Sequence, residues 1–254
     1  VKEKELKKTM ASNVDIKALF EAGLHFGHKT SHWNPKMAPY IHSKRQEIHI
    51  INLEKTVDSL EKALPFLANV VAGGKQILFV GTKKHTKDML RETAVSVNQP
   101  YMTERWLGGT LTNVTTVNQQ IKKLKDLERR MVSGDLEKRY SKLEVQRFQE
   151  EIDDLNIKYG GIKELNGKPG ALMVIDAIGD ANAIKEAKSL NVPVVAIVDT
   201  NVNPTLVDYI IPGNDDAIKG VKLVLDYVAS AIKDSMKITK KISDEKQTKD
   251  VKEK

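Results

Sequence analysis

Between residues 25 and 45 the chain gathers side chains suited to holding a polyanion. His28, Lys29, His32, Lys36, Lys44 and Arg45 supply cations or protonatable rings, Trp33 a flat aromatic face and Asn34 an amide, with no acid among them. Cations hold phosphates, and aromatic rings stack on bases or riboses. A second group, Lys83 and Lys84 with Lys87 close behind, follows an apolar run and would open a helix, whose N-terminal dipole also favours phosphate. A third runs from Arg105 and Trp106 through Gly108 and Gly109 to Asn113, placing a cation, an aromatic ring and two glycines together. These residues form the candidate RNA-binding set.

Other chemistries fit less well. His25, His28 and His32 are spaced three and four apart, which aligns imidazoles on a helix, but Gly27 and Pro35 argue against a helix there. With no cysteine in the chain a fourth ligand is not obvious, so structural or RNA-contacting histidines are the preferred reading and no metal is expected. Asp176 and Asp199 close two apolar runs and could meet in a crevice as catalytic acids or magnesium ligands. Aspartates there more often cap the following turn, and that reading is favoured. The phosphate-binding loop, the dinucleotide fingerprint, the nucleophile elbow and the paired-histidine metal helix are all missing. The expectation is therefore no catalytic residue and no cofactor.

The elements that must position these groups alternate in type. A short helix is expected at 13–22, capped by Ser12 or Asn13, then an irregular stretch and a brief strand at Ile48–Ile51. Apolar residues spaced three or four apart from Leu53 predict an amphipathic helix ending at Gly73 and Gly74. Continuous apolar runs at 76–81, 171–176 and 193–199, with a shorter one at 208–212, suit strands buried on both faces. Helices at 83–97, 181–190 and 215–233 complete the rhythm. This predicts an α/β fold: a doubly wound parallel sheet in a flavodoxin- or Rossmann-like three-layer core.

One segment breaks the rhythm. Val117, Ile121, Leu124, Leu127 and Met131 line one charged helix, and Leu143, Phe148, Ile152, Leu155 and Tyr159 line the next. Two such seams can bury each other as an antiparallel helical hairpin of coiled-coil character. The expected organisation is a flexible extension at 1–12, a core at 13–112 and 160–235, the hairpin arm at 113–159 and a disordered charged tail at 236–254. That tail has few apolar residues to bury.

The 254 residues carry a formal charge of +7, which favours polyanionic partners. No apolar stretch approaches the ~20 residues that span a bilayer, and no membrane partner is expected. A cytoplasmic protein is the simplest expectation.

Several long motifs resemble one known family. The run from Gly23 to Met37, Gly-Leu-His-Phe-Gly-His-Lys-Thr-Ser-His-Trp-Asn-Pro-Lys-Met, is similar to the N-terminal signature of the bacterial small-subunit ribosomal protein S-two family. The stretches at 48–56, 78–83, 105–113, 159–163, 193–201 and 211–219 resemble the same family in the same order. The resemblance implies a doubly wound core carrying a helical hairpin. It further implies a ribosome-bound, non-enzymatic protein seated between head and body on 16S ribosomal RNA, among neighbouring ribosomal proteins and helping to recruit ribosomal protein S-one.

Overall fold

The computed structural model describes residues 14–250. Helix α1 (Ile16–Glu21) is capped by Asp15, whose carboxylate accepts the Lys17 N–H at 2.9 Å. The expected caps Ser12 and Asn13, and the extension at 1–12, lie outside the described residues. Strand β1 (Phe26–Lys29) comes next, then a 3₁₀ turn at Pro35–Tyr40, β2 (Ile41–Arg45) and β3 (Ile48–Ile51). These strands make a small antiparallel sheet in the order β1-β3-β2. Where the sequence suggested irregular chain there are thus two strands. The turn joining β2 to β3 is Gln46-Glu47, both at positive φ (48° and 61°). Asparagine and glycine usually mark such turns, which is why none was evident.

Helix α2 (Leu53–Ala72) starts at Asn52, whose side chain accepts the Glu54 N–H, and stops at Gly73. Then come β4 (Ile77–Val80), α3 (Lys87–Ser96) and the two-residue strand β5 (Tyr101–Met102). Helices α4 (Val114–Val132), α5 (Asp135–Arg139) and α6 (Lys142–Tyr159) follow. The chain returns through β6 (Ala171–Val174), α7 (Ala181–Ser189), β7 (Val194–Val198), β8 (Tyr209–Pro212) and α8 (Ile218–Asp250).

The main sheet runs β5-β4-β6-β7-β8, parallel throughout. Successive strand residues point to opposite faces. Ile77, Phe79, Met173, Val195 and Ile197 accordingly pack with Leu60, Leu67, Leu90 and Val228 of α2, α3 and α8. Leu78, Val80, Leu172, Val174 and Ala196 pack on the other side with Ile121, Ile184 and Ala187 of α4 and α7. Burial on both faces is what made these runs continuously apolar, and it yields the expected three-layer α/β core.

Helices α4 and α6 share a smaller cluster of Leu124, Leu127, Ile152 and Leu155. Leu143, expected in that seam, is 61% exposed instead. Ile121 at the base of α4 joins the main core.

Helix α8 does not stop at residue 233. Ser235 donates to the Ala68 carbonyl at 2.8 Å, Met236 packs against the core, and the helix continues to Asp250 where disorder was expected. No proline or glycine interrupts the stretch, and its lysines are good helix formers. Among the described residues no helix is long and apolar enough to cross a membrane.

Candidate nucleic-acid interface

The small sheet sets the geometry of the first basic group. Lys29 and Arg45 both pair with Ile48 of the central strand, from opposite sides. Directly paired residues share a face, so the two cations stand on one face about 10 Å apart, two strand spacings. Both are exposed, as are Lys44, His32 and Lys36. Asn34 works locally: its side chain accepts the Lys36 N–H at 3.0 Å, and its own N–H donates to the Thr200 carbonyl at 2.7 Å. That ties the basic loop to the end of β7. Trp33 is half-buried and tilted over the buried His49, ring centroids 4.8 Å apart, so part of its aromatic surface is already covered.

The three histidines diverge. His25 is buried and stacked on Phe20 at 4.2 Å, His28 turns inward to Asp199, and His32 faces solvent.

In a parallel sheet wound in this order, the direction in which strands are added reverses between β4 and β6, and the crevice at their C-terminal ends is the usual ligand site. Here the protein's own ion pairs fill it. Lys83 Nζ lies 2.8 Å from Asp215, 2.8 Å from Asp216 and 3.5 Å from Asp176. Asp180 accepts the Thr82 hydroxyl at 3.0 Å and its N–H at 3.3 Å. Burial pushes Asp180 and Asp215 up to about 6. Asp176 and Asp199 serve the turns as expected: Asp176 accepts the N–H groups of Ile178 and Gly179, and Asp199 that of Thr200. Lys83 is therefore spent inside the protein, whereas Lys84 beside it is exposed.

A single carboxylate organises the loop from Arg105 to Asn113. Glu186, on α7, accepts the Trp106 indole N–H (3.0 Å), the N–H groups of Gly109 (2.8 Å), Leu111 (3.0 Å) and Thr112 (3.3 Å), and the Thr112 hydroxyl (3.2 Å). Burial alone would raise its pKa, but these donors outweigh that and hold it below the usual value. Trp106 is consequently buried and offers no stacking face, while Arg105 is exposed. Asn113 caps α4 by accepting the Thr116 N–H at 3.4 Å.

The expected set thus divides. Lys29, His32, Lys36, Lys44, Arg45, Lys84 and Arg105 face outward. His28, Lys83 and Trp106 face inward, and Asn34 and Asn113 shape the backbone. Asp180, Asp215, Asp216 and Glu186 were not anticipated as organising residues. Asp215 and Asp216 sit in a recognisable motif, but Glu186 is one acid among several charges on a helix and carries no local signal.

Known proteins match this chain over most of its length. The family model described as ribosomal protein S2 matches residues 19–235. The small ribosomal subunit protein uS2 of Pseudoalteromonas atlantica is 50% identical over 221 residues, covering 87% of this chain and 90% of that protein. Its counterpart in Roseiflexus is 46% identical over 218 residues, covering 86% and 83%. That of Tolumonas auensis is 50% identical over 222 residues, covering 87% and 91%. These relatives are structural ribosomal proteins rather than enzymes. On that identity and coverage, the chain belongs to the ribosomal protein S2 family of the small ribosomal subunit.

Proposed function

We propose that the chain is a structural constituent of the small ribosomal subunit that binds 16S ribosomal RNA between head and body, in the cytoplasm. The carrying observation is the exposed pair Lys29 and Arg45 on one sheet face, flanked by Lys44, His32 and Lys36. None of these five has an ion-pair partner among the described residues, so the charges of Lys29, Lys36, Lys44 and Arg45 are available to phosphate. Contacts of this kind position RNA by backbone and shape and read little sequence. The α/β core, 13–112 and 160–235, carries the RNA face, with 113–159 as a helical arm. Recruitment of ribosomal protein S-one belongs to the same reading and rests on family membership.

The test follows a tagged copy through sedimentation of gently lysed cells, with ultraviolet crosslinking. Co-migration with the small subunit and crosslinks to its RNA are expected, and S-one should be depleted from subunits lacking the chain. Changing Lys29, Lys44 and Arg45 to alanine should reduce the log–log salt slope of binding by roughly 2 to 3, at 0.7 to 0.9 per phosphate. Migration as free protein at low salt would overturn the reading.

A further inference from the structure

A second cationic site lies at the edge of the main sheet. Strand β5, the loop after it, α3 and the end of α6 enclose a cleft of about 240 Å³, lined among others by Arg91, Tyr101, Glu104, Arg105, Ile157 and Lys158. Three cations from three elements converge on it. Arg105 has no ion-pair partner among the described residues. Arg91 pairs with Asp88 at 2.9 Å and Lys158 with Asp154 at 3.5 Å, both within one helical turn and about half exposed. Exposed pairs of that kind contribute little and yield readily to a stronger anion. The cleft's acid, Glu104, is neutralised by Lys87, whose Nζ donates to both carboxylate oxygens at 2.9 and 3.0 Å.

A glycine makes the convergence possible. A Cβ on Gly161 would stand 2.2 Å from the Tyr101 carbonyl oxygen and 2.7 Å from its ring. Without one, the turn after α6 presses directly on β5 and brings Lys158 into the cleft with Arg105. Tyr101 and Ile157, the latter 59% exposed, add apolar wall beside the charges. Guanidinium groups grip phosphate oxygens bidentately, and apolar wall suits a ribose.

We infer that this cleft seats a phosphodiester of the RNA backbone, held by Arg91, Arg105 and Lys158. The inference rests on the ribosomal RNA reading above and adds a contact surface distinct from the Lys29 and Arg45 face. An open, cationic cleft suits a polymer passing through it.

The test measures uptake of the full chain by small subunits stripped of it, across a salt series. Combined Arg91→Gln, Arg105→Gln and Lys158→Gln should lower the salt slope by about 1 and weaken uptake at least tenfold, with an unchanged melting transition. Glu104→Gln, which removes the acid, should tighten uptake severalfold, a gain that misfolding cannot imitate. A photo-crosslinking p-benzoylphenylalanine in place of Ile157 should react with 16S ribosomal RNA. If the parent chain binds and the triple variant matches it in slope and affinity, the cleft is overturned and the RNA reading stands. Crosslinks from position 157 to a protein would also overturn the cleft. A parent chain that fails to enter stripped subunits removes both.

Discussion

His28 Nδ1 lies 3.1 Å from Oδ2 of Asp199, a carboxylate with no solvent exposure at the end of β7. The pair fastens the small sheet to the large one, helped by the His28 N–H donating to the Thr200 hydroxyl at 2.9 Å. The Asp199 carboxylate raises the pKa of His28 above 6.5 against the opposing effect of burial, and Asp215 and Asp216 add to it. A group so raised binds more protons folded than unfolded. Its stabilisation is therefore complete below about pH 6.5 and fades as pH rises through the higher folded value. An NMR titration of the His28 ring should locate that value, and Asp199→Asn should bring it back down. Titration of native His28 at or below 6.5 would refute this.

Lys83→Ala should destabilise the fold, because Asp176, Asp215 and Asp216 would face one another without a cation. Breaking a buried pair costs about 3–5 kcal/mol, and with the Lys83 side chain 22% exposed a loss of about 2–4 kcal/mol is expected. For a domain of this size that is a melting decrease of roughly 5 to 15 °C. Burial holds Asp180 and Asp215 at about 6, above their unfolded range, so their protonated forms favour the fold below pH 4 and that support fades through pH 6. The variant's loss should hence be smaller at pH 5 than at pH 7.5. Equal melting of variant and parent at pH 7.5 would return Lys83 to the RNA-facing set.

The main sheet was legible because strands buried on both faces leave unbroken apolar runs, as at Ile77–Val80 and Val194–Val198. Strands β1, β2 and β5 were not. Each is short, two of them are half-exposed, and pairing with β3 or β4 rather than local composition makes them strands. Exposed charge was equally legible: Lys29, Arg45 and Arg105 form no ion pair among the described residues. Inward-turning cations were not: Lys83 and Lys84 look alike in sequence, and the aspartates that distinguish them arrive some 130 residues later. The Arg91 and Lys158 cleft was hidden for the same reason, being assembled from three separate elements.

Gly161→Ala should cost about 1–3 kcal/mol, since the new methyl meets backbone and cannot be relieved by a rotamer change. The urea midpoint should fall, and uptake by stripped subunits should weaken beyond what stability explains, because the end of α6 must retreat from β5. Gly134→Ala makes the comparison: unlike Gly161 it has positive φ (69°), and its Cβ would meet nothing within 4 Å. Its loss should come from backbone strain alone, about 1 kcal/mol, with uptake intact. Equal uptake by the two variants would mean that the position of α6 does not govern the cleft.

Glu186→Gln probes whether one carboxylate sets the Arg105 loop. Its two oxygens accept five hydrogen bonds, and glutamine keeps one oxygen while turning an amide NH₂ toward groups that are themselves donors. Buried N–H groups left unpaired cost about 1–3 kcal/mol, so a loss of that order is expected. The local reporter is Trp106, whose indole N–H would lose its acceptor or share it; in a Trp33→Phe background its emission should shift to the red. Glu186 is not among the RNA-facing cations, yet uptake should weaken because Arg105 begins the loop that it holds. Glu186→Asp keeps the charge on a shorter stem and should recover part of both signals. Unchanged emission together with unchanged stability in Glu186→Gln would show that the loop is held by the packing of Trp106 and Leu111 instead.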